Sequence, residues 1–492
     1  MLWFVLFLFI VALIYINTEK PKNFPPGPRW VPLGSILLQV LNKKSINKSL
    51  TEATAEMSKN FGPVLGLKVG KDPIIIIYGP HIIKEFSTSD DFIGRPIGLY
   101  YNLRTWGKRL GILLTDEEVW QEQKRFIVKH LRKFGYGSNN MTFILQEEIK
   151  YLSDSLEEAI SNSGYIICDI RNFFNVGILN TLWKLISGKR YGYEDRYMVE
   201  LQNILTKLFK TIHMTGAPFS HFPFLKYISP EMSGYKCYID AHISVWNFLR
   251  NELQCHKRIL NLNTDPTNLM DTYLAQLNSI ENGTSFTEAQ LLAICMDMFM
   301  AGSETTNNTL KFCFQHLILN QDIQRKAQLE IDDVLRGRLP TLEDRLKMPY
   351  MESIVSESLR MFGGRAITVP HRALKDTKIA GFNVPKNTVI AANLHGCMMG
   401  PDSGFKNPEC FVPERFLGKD KLSIPDNFIP FGLGKRRCMG ESLARANIFL
   451  FTAALLQNYN FFMVPEHPPG MGVADGVTPG PFDFKTKIMK RY

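Results

Sequence analysis

The hydrophobic pattern of this chain begins with an uncharged apolar run and continues into a body whose apolar positions mostly follow helical periodicity. Residues 1–16 read MLWFVLFLFIVALIYI. As a helix this run would be about 24 Å long, slightly short of the roughly 30 Å hydrocarbon core of a bilayer, and Asn17 and Thr18 can complete the crossing. A cleavable signal peptide would need a basic start and a small-residue cleavage site, and neither is present. The pattern predicts a transmembrane signal anchor over residues 1–18, with an uncleaved secretory signal as the alternative.

A proline-rich segment follows the apolar run. Five prolines between residues 21 and 32 prevent helix continuation and stiffen the backbone toward polyproline II. Residues 19–35 are therefore predicted to be a semi-rigid linker, and residues 36–492 the folded domain. The first cations, Lys20 and Lys22, remain in the cytosol by the positive-inside rule, which puts the domain on the cytosolic side of the membrane.

Strand-like patterns interrupt the helical periodicity in two regions. After Phe61 the text VLGLKVGKDPIIIIYG predicts two strands joined by a turn at residues 70–72. Residues 368–396 are strand-like again, with turn signals at Gly381 and Pro385. Because helical periodicity dominates elsewhere, the predicted fold is mainly α with a small β region, in a single large domain.

Helices are expected over most of residues 117–360 and again near the C-terminus. The predicted loops lie near residues 135, 190, 215–235 and 262–285, and a last helix spans about residues 441–457. The helix that begins near residue 288 has a strong start signal. Thr287 with Gln290 fits a capping box, and Ser285 with Glu288 fits a second, overlapping one.

The same helix contains polar residues in an otherwise apolar run. Residues 301–306 read AGSETT, directly after LLAICMDMFM. Gly302 is expected to loosen the backbone, and the Thr305 hydroxyl can bond to the carbonyl oxygen of Ala301, four residues back. Burying the acid Glu304 costs free energy that packing alone does not return. The motif therefore favours a functional role for this turn of the helix.

Composition supplies a large core and excludes several classes of protein. Hydrophobic residues make up 45% of the chain, and its 34 phenylalanines and 19 methionines can shape an interior around an apolar ligand, although most of them will be ordinary core residues. The net charge of +10 points to anionic partners. The sequence has no zinc-finger spacing, RNA-binding aromatic signature or long basic tail, so nucleic acid is not expected as a partner. Eight cysteines without a CxxC pair suit a reducing compartment.

One cysteine lies in a basic, glycine-rich loop near the C-terminus. Residues 431–440 read FGLGKRRCMG, so Cys438 directly follows three cations. Glycines allow the backbone to approach a flat ligand closely, and nearby cations lower the pKa of a thiol, which favours the metal-binding thiolate. A structural cysteine in a turn is the alternative interpretation.

These motifs, in this order, resemble the cytochrome P-450 family of haem-thiolate monooxygenases, and especially its endoplasmic-reticulum-anchored animal type, which includes insect hormone-pathway members. The family signature FxxGxRxCxG is met by Phe431, Gly434, Arg436, Cys438 and Gly440. The resemblance implies haem b as cofactor, bound by this loop with the Cys438 thiolate as axial iron ligand and Arg436 at a haem propionate. It also implies a microsomal location, in the endoplasmic reticulum membrane with the domain facing the cytosol.

The AGSETT motif resembles the family's oxygen-activation sequence. The resemblance implies that Thr305 relays protons during dioxygen cleavage, with Glu304 in support and Ala301 beside the haem. Two other functions use the same cofactor. A haem-thiolate enzyme that rearranges peroxides needs neither reductase nor proton relay, and a haem-based sensor or lipophilic-ligand carrier would bind without turnover.

An ExxR pair resembles the family's structural support for the haem pocket. Glu357 and Arg360 lie one helical turn apart and precede Arg415 in the order typical of the family. The pattern alone is unspecific, because Glu122 and Arg125 also fit it. The resemblance implies a buried network of Glu357, Arg360 and Arg415 with a structural role.

Further haem contacts are implied around one tryptophan and one histidine. The family's WxxxR motif is replaced here by Trp120 followed by Lys124 and Arg125, so either cation can neutralise a propionate, and Lys124 is favoured. Lysine would do so as a point charge, without the planar fork of arginine. His371, within VPHR, matches a propionate-contacting histidine in this branch of the family, although a lone histidine is often only a satisfied polar residue.

The implied reaction needs two electrons, and the sequence has no flavin or nicotinamide motif. The family's donor is a membrane-bound NADPH-dependent flavoprotein reductase, with cytochrome b-five as a further candidate. Arg125, Lys129 and Arg132 or Lys133 recur at helical spacing in the acid-free segment 124–133, which predicts a basic docking stripe. A solvated helix face without a partner is the alternative.

The substrate is the least specified part of the prediction. By family analogy it contacts residues 93–114, 205–225, 298–305 and 366–369 and a turn near Val477. These segments are mostly apolar with scattered hydroxyls, which suggests a lipophilic small molecule. Steroid, fatty acid, terpenoid hormone and xenobiotic all remain open.

Overall fold

The computed structural model describes most of the chain from residue 19 onward. The described ranges are residues 19–30, 49–69, 72–137, 140–161, 163–259, 265–279, 285–419 and 421–492. The anchor predicted over residues 1–18 lies outside them. Within these ranges, none of the helices combines the length and the apolar character needed to span a bilayer.

Sixteen α-helices make up the larger part of the described ranges. They are α1 Leu50–Phe61, α2 Pro80–Thr88, α3 Leu99–Leu103, α4 Glu117–Lys133, α5 Asn140–Ser161, α6 Asn175–Ser187, α7 Arg196–Thr211, α8 Pro218–His221, α9 Leu225–Ile228, α10 Tyr235–Ile259, α11 Leu269–Ser279, α12 Glu288–Leu319, α13 Gln321–Leu335, α14 Pro349–Gly363, α15 His395–Met398 and α16 Glu441–Asn458. The last helix matches its prediction to within one residue. The loop predicted over 215–235 contains the two single-turn helices α8 and α9.

Short strands form two small sheets and two hairpins. The strands are β1 Val64–Val69, β2 Asp72–Tyr78, β3 Tyr165–Asp169, β4 His371–Arg372, β5 Thr377–Ile379, β6 Phe382–Val384, β7 Val389–Asn393, β8 Tyr459–Met463, β9 Val473–Ala474, β10 Gly480–Pro481 and β11 Lys485–Lys490. The sheets have the orders β1-β2-β7-β4 and β3-β11-β8, and β5–β6 and β9–β10 are the hairpins. The predicted mainly α fold with a small β region is confirmed.

The two strand-like regions of the sequence meet in one sheet. Antiparallel pairing of β1 with β2 confirms the predicted hairpin. Strand β7, from the late strand-like region, adds to it in parallel, with Ile74 opposite Val389 and Tyr78 opposite Asn393. The chain between these parallel strands is mostly helical, as a parallel crossover requires.

The longest described helix, α12, has 32 residues and packs against α6, α10, α14 and α16. The Thr287 hydroxyl accepts from the Gln290 backbone N–H at 3.0 Å, which is half of the predicted capping box. The Gln290 side chain does not return to Thr287 but bonds to the backbone of Gly111. The Ser285 hydroxyl bonds to Glu122, so the second predicted box does not form.

Helix α12 is continuous through Gly302, where a loosened backbone was expected. A Cβ at this position would lie 2.5 Å from a methyl carbon of Leu182, on α6. The glycine therefore permits the close approach of α6 to α12 rather than a break in the helix.

The proline-rich segment is packed onto the domain over its described part. Phe24 and Trp30 are buried, and the Gly66 N–H donates to the carbonyl oxygen of Pro26 at 2.7 Å. A Cβ on Gly27 would lie 2.1 Å from the Gly66 oxygen. Residues 19–30 are therefore fixed against strand β1, while the boundary between linker and domain stays a prediction.

Candidate functional site

Glycines determine the shape of the Cys438 loop. The Cys438 N–H donates to the carbonyl oxygen of Phe431 at 2.9 Å and closes the loop. Gly432 and Gly434 have φ values of 72° and 70°, a region that side chains with a Cβ rarely adopt. A Cβ on Gly434 would also lie 1.8 Å from the carbonyl oxygen of Ser87. The backbone conformation alone therefore requires glycine at these two positions.

The Cys438 sulfur faces an enclosed space. The side chain is accessible, yet burial is the largest influence on the thiol and raises its pKa. Both observations are met if the accessible surface belongs to an internal cavity and not to bulk solvent. Backbone N–H groups of Gly440 and Glu441 donate to the sulfur and act in the opposite direction, lowering the thiol pKa.

The sequence suggested that the three cations before Cys438 together lower the pKa of its thiol. In the structure they do not act together. Lys435 and Arg437 are each paired with a carboxylate of their own at 2.6 Å. Of the three, Arg437 lowers the pKa of Cys438, but burial outweighs it. A bound metal would supply the further positive charge that favours a thiolate at this position.

The third cation, Arg436, has an unused hydrogen-bond donor. Its guanidinium stacks on Trp120, 3.7 Å from the ring centroid. Two of its nitrogens donate to the carbonyl oxygens of Ile93 at 2.9 Å and Thr115 at 2.7 Å. The third, Nη1, is buried and has no hydrogen-bond partner in the described part of the chain. Burial first, and then the charge of Arg95, lowers the pKa of Arg436, so a bound anion would relieve both effects.

A group of buried charges beside Arg436 was missed by sequence reasoning. Asp116 pairs with Arg372 at 2.7 Å and with Arg109 at 3.1 Å. Arg95 donates to two backbone carbonyl oxygens, and burial lowers its pKa to about 10. Asp116 precedes α4 and looks like an ordinary N-cap, and its partner Arg372 is 256 residues away, so no local pattern reveals the pair.

Of the two cations after Trp120, Lys124 lies on the side of Arg436. Its ammonium is 4.8 Å from the Trp120 ring centroid and donates to the carbonyl oxygen of Lys435 at 2.7 Å. Burial, followed by the charge of Arg436, lowers its pKa. Arg125 is exposed on α4 and forms no ion pair with any residue that the structure describes. The geometry favours Lys124, although the propionate contact itself stays a prediction.

His371 has a fixed ring orientation on strand β4. Its Nδ1 lies 2.7 Å from the carbonyl oxygen of Phe92. Burial first, and the nearby charges of Arg95 and Arg436, hold the pKa of His371 well below its usual value. A neutral ring that donates from Nδ1 has only an acceptor at Nε2. His371 would therefore have to be protonated to donate to a propionate.

The AGSETT motif directs its side chains in two directions. Ala301 is exposed and Thr305 is half-buried, whereas α12 is buried on both sides of this turn, over residues 290–300 and 306–318. The Thr305 hydroxyl donates to the carbonyl oxygen of Ala301 at 2.8 Å, as the spacing predicts. Glu304 is buried and accepts from the hydroxyl of Thr206, on α7, at 3.2 Å. The two proposed relay residues are thus held by different partners.

Glu357, Arg360 and Arg415 form one charge network. Arg360 pairs with Glu357 at 2.7 Å, with both side chains fully buried. Arg415 pairs with the other carboxylate oxygen at 3.1 Å. Arg360 also donates to the carbonyl oxygens of Met398 at 2.8 Å and Cys410 at 3.2 Å. The network ties α14 to the irregular segment that leads to the Cys438 loop.

The structure brings several of the predicted substrate-contacting segments together. The Tyr100 hydroxyl lies 3.4 Å from the carbonyl oxygen of His213. The Val477 N–H donates to the carbonyl oxygen of Phe209 at 2.8 Å. The segments 93–114 and 205–225 and the late turn are therefore neighbours, as family analogy suggested.

These residues fit the haem that the sequence resemblance implies. Cys438 offers an accessible sulfur ligand inside the protein. Arg436 offers a buried N–H that lacks an acceptor among the described residues and is suited to a propionate. Ala301 leaves an exposed small surface in the middle of α12, where a larger side chain would fill the space.

Comparisons with known proteins agree over nearly the full length. A family model described as Cytochrome P450 matches residues 25–481. "Probable cytochrome P450 303a1" of Drosophila melanogaster is 39% identical over 485 residues, which is 96% of each chain. "Farnesoate epoxidase" of Bombyx mori is 34% identical over 471 residues, 95% of this chain and 93% of its own. "Cytochrome P450 2J3" of Rattus norvegicus is 31% identical over 468 residues, 93% of this chain and 89% of its own.

Proposed function

This chain belongs to the cytochrome P450 family, and from that premise we propose a membrane-bound monooxygenase that oxidises a lipophilic small molecule with electrons from a separate reductase. Members of the family are monooxygenase oxidoreductases that bind haem b through a cysteine thiolate. When bound, that group supplies the dioxygen chemistry. The observation that supports the proposal best is the accessible Cys438 sulfur, with two backbone N–H donors, close in sequence to the unpartnered N–H of Arg436.

The chain's own residues would hold the cofactor through opposite charges. Cys438 would be the axial ligand, and Arg436 would donate to a propionate from its free Nη1. Trp120 stacks on the Arg436 guanidinium, and the charge of Arg436 acts on Lys124. Both residues therefore support the same side of the site. Phe431 and Gly440 shape the loop around the sulfur. The carbonyl oxygen of Phe431 accepts the hydrogen bond that closes the loop, and the N–H of Gly440 is donated to the sulfur.

Thr305 and Glu304 would move protons on the opposite face of the cofactor. The Thr305 hydroxyl donates to the backbone of Ala301 in a half-buried position, and its oxygen can accept a hydrogen bond from a water there. Glu304 is one residue away and bonds to Thr206. A relay through Glu304 would require this hydrogen bond to exchange for one to water or to Thr305.

The electron donor would be the NADPH-dependent flavoprotein reductase, with cytochrome b-five as a further donor, at the basic face of α4. Arg125, Lys129, Arg132 and Lys133 are exposed, and none is ion-paired with another residue in the described ranges. Unpaired surface cations steer acidic partners over distances of about a Debye length. The predicted anchor over residues 1–18 would keep this face beside the donor at the endoplasmic reticulum membrane.

The substrate class is lipophilic, and a terpenoid acid or ester is the member to test first. The support is the 34% identity to a Bombyx mori protein named for the epoxidation of farnesoate. Identity of this size does not determine a substrate, so steroids and fatty acids belong in the same screen. Apolar pockets with few polar groups accept all three classes.

The first experiment is the absorption spectrum of the dithionite-reduced protein under carbon monoxide. A strongly red-shifted Soret band in the wild type that is lost in Cys438→Ala supports thiolate ligation by Cys438. A band at the usual position of histidine-ligated haem, or no haem, would refute it. Substrate-dependent NADPH consumption with reductase then separates the monooxygenase from a peroxide-rearranging enzyme and from a carrier, which do not consume NADPH.

A further inference from the structure

Tyr136 lies in the turn after α4, between two glycines with positive φ. Gly135 and Gly137 have φ values of 97° and 73°. The Tyr136 ring packs against the main hydrophobic core and is half-buried. Its hydroxyl donates to the carbonyl oxygen of Met439, the residue directly after Cys438. A side chain 302 positions before Cys438 in the sequence thus contacts the backbone next to the sulfur.

Helix α16 begins immediately after Cys438 and lacks a side-chain cap. Its N-cap residue is Gly440, which has no side chain to accept the first-turn N–H groups. The N–H of Glu441, with that of Gly440, is donated to the Cys438 sulfur. The N–H of Leu443 is directed at the Tyr136 hydroxyl oxygen and acts to lower the pKa of this tyrosine, against the larger effect of burial. The sulfur and the tyrosine therefore share the task that a serine or aspartate N-cap performs elsewhere.

We propose that Tyr136 is a positioning residue for the Cys438 thiolate. Through its bond to Met439 and the Leu443 N–H directed at its hydroxyl oxygen, it holds the first turn of α16 so that the N–H groups of Gly440 and Glu441 remain directed at the sulfur. Hydrogen bonds to a ligand sulfur withdraw negative charge from it and set how strongly it donates to the metal. This inference rests on the proposed role of Cys438 as the iron ligand.

Packing alone would not need the hydroxyl. In Tyr136→Phe the aromatic ring keeps its place against the core, and only the hydroxyl group is lost, with its bond to Met439 and its contact with the Leu443 N–H. The N–H···S bonds should then lengthen, because the turn that presents them loses its external support. More negative charge stays on the sulfur, which favours the ferric state and makes the thiolate easier to protonate.

The test uses the haem-loaded full-length protein and two readouts other than turnover. In Tyr136→Phe the midpoint reduction potential should become more negative. The reduced carbon monoxide complex should lose its thiolate band roughly fivefold faster than the wild type, the effect expected from one hydrogen bond. Amide hydrogen exchange should accelerate more at Leu443 than at amides in the middle of α16, a local contrast that a general loss of stability would not produce.

The matched control is Tyr459→Phe. Tyr459 is fully buried, and its hydroxyl donates to the carbonyl oxygen of Ser153 at 3.1 Å, at the far end of α16 from Cys438. The Tyr459→Phe variant should have a lower thermal midpoint but an unchanged reduction potential and an unchanged lifetime of the thiolate band. A wild-type potential and band lifetime in Tyr136→Phe would overturn the positioning role. A wild type without a thiolate band would instead refute the ligation by Cys438.

Discussion

At the scale of single residues, the unpartnered hydrogen-bond donor of Arg436 indicates the kind of ligand that this side chain suits. A buried guanidinium normally uses its donors, because each one left without an acceptor costs about 1–3 kcal/mol or more. Arg436 satisfies two nitrogens with carbonyl oxygens and leaves Nη1 free within the described structure. Its neighbour Arg95 adds a second positive charge. An anionic carboxylate is the ligand that best offsets both costs.

The two cations after Trp120 give a residue-scale prediction. Lys124→Gln should release haem up to about fivefold faster, because an ion pair that is only partly buried contributes about 0–1 kcal/mol. Arg125→Gln is the matched control, since Arg125 is exposed and lies roughly 140° around the helix from Trp120, five residues earlier. The measurement is the rate of haem transfer to apomyoglobin. Faster release from Arg125→Gln than from Lys124→Gln would reverse the assignment.

At the scale of elements, the network around Glu357 connects α14 to the chain that leads into the Cys438 loop. Its carboxylate is fully buried and meets Arg360 at 2.7 Å and Arg415 at 3.1 Å. It also accepts the backbone N–H of Val412 at 2.9 Å. Because one carboxylate accepts hydrogen bonds from three residues, its loss leaves two guanidinium groups without their counter-charge.

Glu357→Gln should therefore destabilise the protein strongly. Removing one partner of a buried ion pair costs about 3–5 kcal/mol, because the other charge stays buried. Chemical denaturation of the variant measures the change in the free energy of unfolding. The control is Lys326→Gln, which breaks an exposed pair with Glu414 and should change stability little. Equal effects of the two substitutions would contradict a structural role for the network.

The elements that could be predicted from sequence are those specified by local patterns. The β1–β2 hairpin and the start of α12 at Thr287 follow from alternation and capping within a few residues. Pairings between distant segments were not accessible from the residue pattern, and those expected between substrate-contacting segments came only from the family resemblance. The Glu304–Thr206 bond joins residues 98 positions apart, and the parallel pairing of β7 with β2 crosses most of the domain. Such contacts depend on how helices pack, which one sequence does not determine.

In the candidate site, too, residues within local motifs could be predicted and residues with distant partners could not. Cys438, Arg436 and Glu357 were predicted as candidates because family motifs specify them by spacing. Asp116 was missed because it resembles an ordinary helix cap, and Tyr136 because its contacts are backbone atoms of a distant loop. Of the cations expected to lower the pKa of Cys438, Arg437 does so, but burial, which depends on the complete fold, outweighs it.

At the scale of the whole molecule, the distribution of charge favours one face for an acidic partner. The chain has a net charge of +10. On α4, Lys129, Arg132 and Lys133 are exposed beside Arg125. Burial first, and then Lys133 and Lys129, lowers the pKa of His130, so this residue carries less positive charge at neutral pH than an ordinary histidine. The charge of the stripe therefore comes from lysine and arginine and stays constant across physiological pH.

The double variant Lys129→Glu, Arg132→Glu should raise the KM for reductase roughly tenfold at low salt, because two attractions to an acidic partner become repulsions. Its carbon monoxide spectrum should stay unchanged. Added salt should narrow the difference from the wild type as the Debye length falls from about 30 Å at 0.01 M to about 8 Å at 0.15 M. The control is Lys207→Glu, a charge reversal at an exposed lysine of α7, which should leave the KM unchanged. If Lys207→Glu weakens reductase binding as much as the stripe variant does, net charge and not the α4 face guides the donor. An unchanged KM in the stripe variant would leave α4 as a solvated helix face.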